Sequence, residues 1–148
     1  MKKYLVIFLS LCLLCALAAG CSGKSDVSKK PNEIDVDLTA LSSTLVYAEV
    51  YNIMTTPGDY EGKTIKVGGL YQANYYEPTQ QYYQCVIIAD ATACCQQGLE
   101  FLWSGKHKYP DDYPQDGTPI ELTGVFESYE ELGNTYYRLA VDEVTVLG

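Results

Sequence analysis

Cys85-Val86-Ile87-Ile88-Ala89-Asp90-Ala91-Thr92-Ala93-Cys94-Cys95-Gln96-Gln97-Gly98-Leu99-Glu100-Phe101 is the stretch from which the fold is read. Val86, Ile87 and Ile88 are β-branched and continuous, as in a strand buried on both faces. Asp90 breaks that strand, and small residues carry the chain to the adjacent pair Cys94-Cys95. Gly98 then releases it into a second apolar run, with Leu99, Phe101 and Trp103 on one face. Two strands in succession point to a β domain.

Working outward, Thr64 to Tyr71 reads as the preceding strand, and Gly68-Gly69 inside it as a bulge or sharp bend. Asn74 to Gln80, with Pro78, is a turn into the strand Gln81 to Ala89. On the other side, Ser104 to Gly117 contains Pro110 and Pro114 and is a loop. Thr118 to Tyr129 is a fourth strand with a bend at Gly124, Gly133-Asn134 is a turn, and Thr135 to Leu147 is the last strand, with Tyr137, Leu139 and Val141 on one side. Before all of these, Ile34, Val36 and Leu38 alternate with acidic residues as a short edge strand. Ser42, Ser43 and Thr44 then offer N-cap oxygens to a helix. Val46, Val50, Ile53 and Met54 form its apolar stripe, and Pro57-Gly58 ends it. The predicted class is all-β with one N-terminal helix. Five strands with glycines placed to bend the first and fourth suit a small five-stranded OB-like barrel spanning 34–148, with the helix plugging an open end. A small β-sandwich is the alternative.

The N-terminus predicts location. Lys2 and Lys3 precede an apolar run from Tyr4 to Leu17, the length of a signal-peptide core and short for a membrane span. It ends in Ala18-Ala19-Gly20-Cys21, which resembles the lipobox of bacterial lipoproteins. The resemblance implies a signal peptide over 1–20, a diacylglycerol on the Cys21 thiol, and an extracytoplasmic domain held to the cell membrane. Residues 21–33, rich in Ser, Lys and Gly, read as a flexible tether. Without Lys2 and Lys3 the chain carries 8 basic and 19 acidic residues, a net charge of −11. That balance argues against nucleic-acid binding, which needs Lys and Arg along phosphates, and against lying flat on anionic lipid.

The cysteines carry the ambiguous chemistry. Outside the membrane a disulfide is the default. A Cys94–Cys95 bond would be strained, because adjacent Cα atoms are about 3.8 Å apart and a relaxed disulfide wants about 4.4–6.8 Å. Cys85 with one of the pair is easier, since neighbouring side chains in an extended segment point opposite ways. A second reading is a zinc site from Cys85, Cys94, Cys95 and the only histidine, His107, although adjacent cysteines converge poorly on one ion. A labile Cys94-Cys95 dithiol and three buried, inert cysteines are further readings. Asp111, Asp112 and Asp116 lack calcium-loop spacing and read as a solvated loop. No nucleophile elbow, paired carboxylates, P-loop or dinucleotide fingerprint appears, so no catalytic constellation is recognised and no cofactor besides zinc is implied. The chain has 14 tyrosines. Tyr71, Tyr75, Tyr76, Tyr82 and Tyr83 bracket the first hairpin, and their density suits an aromatic face for a ligand or partner.

Pro57, Asp59-Tyr60, Gly62-Lys63, Val67-Gly68-Gly69, Asp90 and Cys94-Cys95 with the following Gly98, Glu100 and Phe101 resemble a group of uncharacterised bacterial extracytoplasmic proteins. Some of these are lipoproteins, and others are domains attached to putative permease components, with a paired-cysteine motif in an OB-like fold. The similarity covers roughly Ile34 to Gly148. It implies the same location and fold, and a permease component or other envelope protein as partner.

The function expected from the sequence is a membrane-anchored envelope lipoprotein whose OB-like barrel is a non-catalytic binding module for an envelope protein or small ligand. The alternative is a metal-handling or thiol-redox accessory protein using Cys85, Cys94 and Cys95. Because only the Cys21 thiol is placed to receive the lipid, Cys21→Ala is expected to move the protein from the membrane to the soluble fraction. Retention of the same lipid label in the variant would refute this.

Overall fold

Thr64–Tyr76 buries Ile65, Val67 and Tyr71 on one side, ends in three exposed residues, and forms the strand on which the architecture turns. The computed structural model describes residues 33–92 and 94–148; the predicted leader, Cys21 and the tether up to residue 32 lie outside the described residues. In chain order the elements are β1 (Val36–Asp37), α1 (Ser43–Thr55), β2 (Thr64–Tyr76), β3 (Gln81–Ala89), β4 (Gln96–Trp103), β5 (Pro119–Glu131) and β6 (Asn134–Val146).

The first half of β2 pairs antiparallel with β5, from Thr64↔Val125 to Leu70↔Pro119. Its second half pairs antiparallel with β3, from Leu70↔Ile87 to Tyr76↔Gln81. β3 pairs with β4, β4 pairs parallel with β6 over Phe101–Trp103, and β6 pairs with β5. The neighbours therefore run β2-β3-β4-β6-β5 and return to β2, and β1 adds a short parallel edge on β2. This is the strand order of an OB barrel, a five-stranded Greek key that leaves few free edges.

Inside the ring, Ile65, Val67, Tyr71, Val86, Leu99 and Phe101 meet Ile120, Leu122, Leu139 and Val141, all at most 2% exposed. Helix α1 packs on β3 and β4 and contributes Val50 and Ile53, both fully buried. The segment between β4 and β5 holds no α-helix, so α1 does the covering. Met54 is 54% exposed; one residue past Ile53 it has rotated about 100° off the buried arc.

Several local expectations are corrected. The edge strand stops at Asp37, because Leu38 enters a 3-10 turn capped by the Asp37 carboxylate and buries its side chain. Ser42 caps α1 through its carbonyl, not its hydroxyl; the C-terminal end is the one closed by side chains, with Thr55 and Thr56 hydroxyls donating to Tyr51 and Asn52 carbonyls. The strand over Thr64 to Tyr71 runs on to Tyr76 because β3 continues to pair with it. Ile87 is only half-buried, since Val86 and Ile88 take the core side of β3 and Ile87 the other, over Gly98. The β5–β6 turn is Leu132-Gly133, with φ of 50° and 79°, and Asn134 already pairs with Glu131. Among the described residues no helix is long and apolar enough to cross a membrane.

The predicted bends have a physical cause at two glycines. A Cβ on Gly69 would lie 2.5 Å from the Ile87 carbonyl oxygen and 2.8 Å from Val86 Cγ2. A Cβ on Gly124 would lie 2.5 Å from the Ala140 carbonyl oxygen, next to the slip in register between Leu122 and Gly124. Backbone atoms cannot rotate out of the way. Gly69→Ala is expected to lower the unfolding free energy in urea by roughly 1–3 kcal/mol. Gly68→Ala, whose Cβ would meet nothing nearer than 3.7 Å, should stay within about 0.5 kcal/mol of wild type. Equal losses in the two variants would refute the close-approach argument.

Candidate binding site on the barrel face

The β2–β3 hairpin is longer than its neighbours allow. β5 leaves β2 at Leu70 and β4 leaves β3 at Gln84, so Asn74–Tyr76, paired with Gln81–Tyr83, continue as a two-stranded projection. Where β5 ends, the Asp116 carboxylate accepts the Ala73 N–H at 2.9 Å, and Gly117 and Thr118 bond the two sides of Tyr71. Asp116 thus extends the sheet by one bond, while Asp112 accepts the Lys108 N–H at 2.7 Å within the loop itself.

Period-two alternation divides the five tyrosines expected on one face. Tyr71 is in the core, 1% exposed, with its hydroxyl on Gln84. Tyr75 and Tyr82 share its side and face each other directly, ring centroids 5.1 Å apart. Tyr82 then meets Tyr109 at 4.3 Å, and Tyr109 leads to Tyr113, which packs on Tyr71 and Trp103. This row of rings joins the exposed hairpin tip to the core. Tyr76 and Tyr83 point to the opposite side.

On that opposite side the sheet builds a groove of about 360 Å³ from Tyr76, Tyr83, Glu100, Tyr129, Glu131 and Tyr136. Each has the strand parity opposite to the core, and together they come from five strands. Tyr129 donates to Glu100 at 2.9–3.0 Å, and the Tyr83 hydroxyl lies 2.7 Å from both Glu131 oxygens. The Arg138 guanidinium lies 4.5 Å from the centre of the Tyr129 ring and pairs with Glu127 at 2.8 Å, at the rim. Burial raises the Glu100 carboxyl above its ordinary range; the Tyr129 bond and Arg138 oppose this, and the Glu131 charge adds to it. Burial, followed by Glu100 as a hydrogen-bond partner and a nearby charge, raises Tyr129, so that hydroxyl stays a donor at neutral pH. Of these residues only Tyr76 and Tyr83 were candidates from the sequence. Glu100 was visible as part of the paired-cysteine resemblance, with no role attached; Tyr129, Glu131 and Tyr136 come from the other end of the chain, and no local signal joins them to it.

The cysteines fall in two places. The β3–β4 register pairs Ala89 with Gln96 and Cys85 with Glu100. Cys85 therefore sits four residues, roughly 13 Å of strand, from the turn that holds Cys94 and Cys95. Among the described residues all three are free, and the expected disulfide from Cys85 is not seen: the hairpin extends where such a bond would need it to fold back. Asn74 donates to Cys85 Sγ at 3.6 Å, and burial, reduced by that bond, pushes the Cys85 thiol up to about 11. His107 is also elsewhere, stacked on Trp103 at 3.8 Å in the β4–β5 loop. The four ligands of the expected zinc set are thus not assembled. Asp90, Cys94 and Cys95 are: one ligand atom from each lies within 4.8 Å of the others.

No family model matches this chain, and no curated protein matches it. Among solved structures it is similar to an OBody, AM2EP06, bound to hen egg-white lysozyme, with a TM-score of 0.39 and 18% identity over 60% of this chain and 83% of that one. It is likewise similar to the N-terminal domain of the PriB protein from Thermoanaerobacter tencongensis, with a TM-score of 0.36 and 12% identity over 57% of this chain and 96% of that one. The OB-like architecture stands on the strand pairings themselves.

Proposed function

We propose that this protein is a lipid-anchored module of the cell envelope that binds, without chemistry, a cationic group of an envelope protein or small ligand in the tyrosine-walled groove. The observation that carries the reading is Glu100, a half-buried carboxylate on the floor of a groove walled by Tyr76, Tyr83, Tyr129 and Tyr136. Aromatic faces attract ammonium and guanidinium groups, by about 0.5–2 kcal/mol each, more when water is excluded. Two carboxylates already oriented by tyrosine hydroxyls add charge-assisted acceptors. The fold bears a cost for placing Glu100 there, as groups tuned for a ligand often require. OB folds use this region, the face of their second and third strands flanked by the first and last hairpin loops, for ligands; that is a fold-level analogy. The acidic floor disfavours a phosphate backbone, so nucleic acid is not among the expected ligands. The exposed row of Tyr75, Tyr82 and Tyr109, on the other face of the same hairpin, supports a protein partner, since such rings enrich interfaces. A permease component is one candidate for that partner.

Glu100→Gln separates binding from folding. A carboxyl whose folded pKa is raised gives stability that is present below its unfolded value, 4.5, and lost as pH rises through the folded value. The variant lacks that loss, so its melting temperature should equal or exceed that of wild type at neutral pH, and the difference should shrink toward about pH 4. Calorimetric titration of the chain in detergent with putrescine, arginine amide and an arginine-containing peptide should show binding that Glu100→Gln weakens about tenfold. Binding of the small amines points to a small ligand; binding of the peptide alone points to a protein. The reading fails if none of the three binds, or if Glu100→Gln leaves their affinity unchanged.

A further inference from the structure

The β3–β4 turn gathers three groups that the groove does not use. The Asp90 carboxylate accepts the Thr92 N–H at 3.1 Å and the Cys94 N–H at 3.0 Å, so the turn is wrapped around it. The Asp90 N–H donates to the Cys95 carbonyl at 2.9 Å and closes the turn from the strand side. The chain bends at Cys94 and is no longer extended. As a result the two adjacent sulfurs, which would point apart in a strand, lie together 3.4 Å apart. Cys94 Sγ is also 3.5 Å from Asp90 Oδ2. Both thiols are exposed and outside any disulfide.

We propose that Asp90, Cys94 and Cys95 form a surface clamp for a thiophilic divalent cation of the zinc class. Zinc takes thiolate sulfur at about 2.3 Å and carboxylate oxygen at about 2.0–2.2 Å, which sets two sulfurs on one tetrahedral ion roughly 3.8 Å apart. The sulfurs need to open by only a few tenths of an ångström from where they already are. Binding forms two metal–sulfur bonds and one metal–oxygen bond, and releases the two thiol protons to water; no electrons are transferred. Three protein ligands leave the fourth position open to water or to a donor from another molecule, as at sites that exchange a ligand and unlike closed structural sites. A bond between the two cysteines does not compete well, because adjacent Cα atoms are closer than a relaxed disulfide requires. The clamp is independent of the groove and uses neither Cys85 nor His107.

The full chain in detergent, reduced and then freed of reductant without air, is titrated with Cd²⁺ and, by competition against a chromophoric chelator, with Zn²⁺. One ion per chain should bind, with the ultraviolet charge-transfer absorption of cadmium thiolate and release of two protons. Cys94→Ser and Cys95→Ser should each weaken binding at least tenfold, and Asp90→Asn, which can still accept the turn's N–H bonds, about tenfold. Cys85→Ala should bind as wild type. Circular dichroism of each variant identifies any that fails to fold, and the charge-transfer band then decides on wild type and Cys85→Ala alone. Absence of that band, binding that survives in the Cys94→Ser/Cys95→Ser double variant, unchanged affinity in Asp90→Asn, or a mass two hydrogens short before titration would each overturn the proposal.

Discussion

The structure depends on one strand being shared. At Leu70, β2 pairs with Pro119 on one side and Ile87 on the other, and the ring of strands closes through that residue. Such sharing requires β2 to coil sharply, which brings the backbone of β3 onto β2 at Gly69. There the Ile87 carbonyl occupies the space of a side chain. Closure then buries Tyr71, Val67 and Ile65 along the inner face, and leaves the far end of β2 free of β5. The long hairpin with its tyrosines is a consequence of that departure.

Closure also creates the groove. Five strands present their outward residues to a common concave surface only because β4 and β6 pair in parallel over three residues and complete the ring. Glu100 is then overhung by Tyr129 and loses water, which raises its carboxyl, while the same tyrosine holds it as an acceptor. A residue of this kind weakens the fold at neutral pH and is poised to gain from a positive partner. The opposing effects of burial and hydrogen bonding on Glu100 connect the packing of the sheet to the chemistry proposed for its face.

The turn between β3 and β4 obeys a different logic. It is small and exposed, and packing does little to fix it; its geometry comes from hydrogen bonds to one carboxylate, Asp90. Those bonds decide that Cys94 and Cys95 converge. Cys85, four residues along the strand from that turn, is held by ladder bonds and half-buried, and burial pushes its thiol up. Three cysteines in one short stretch thus have two different physical situations.

Alternation placed Leu99 and Phe101, and Leu139 and Val141, on core faces, whereas the unbroken run Val86-Ile87-Ile88 concealed which of its side chains face inward. The glycines at 69 and 124 marked the bends, and the prolines at 57, 110 and 114 marked where regular structure stops. These signals are legible because backbone sterics and the burial of every second residue act over a few neighbours. The same rule could have split Tyr75 and Tyr82 from Tyr76 and Tyr83. Other features required the tertiary structure. The meeting of Glu100 with Tyr129 and Glu131 spans about thirty residues of chain and is set by which strands become neighbours, a matter of loop closure and topology that no window of sequence records. The separation of Cys85 from Cys94 is set by hairpin register, and the convergence of Cys94 with Cys95 by two backbone dihedrals in a turn. The sequence by itself determined the strands and their inward faces, because those follow from local geometry; only the closed sheet decided which outward residues share a site, because that follows from pairings between distant segments.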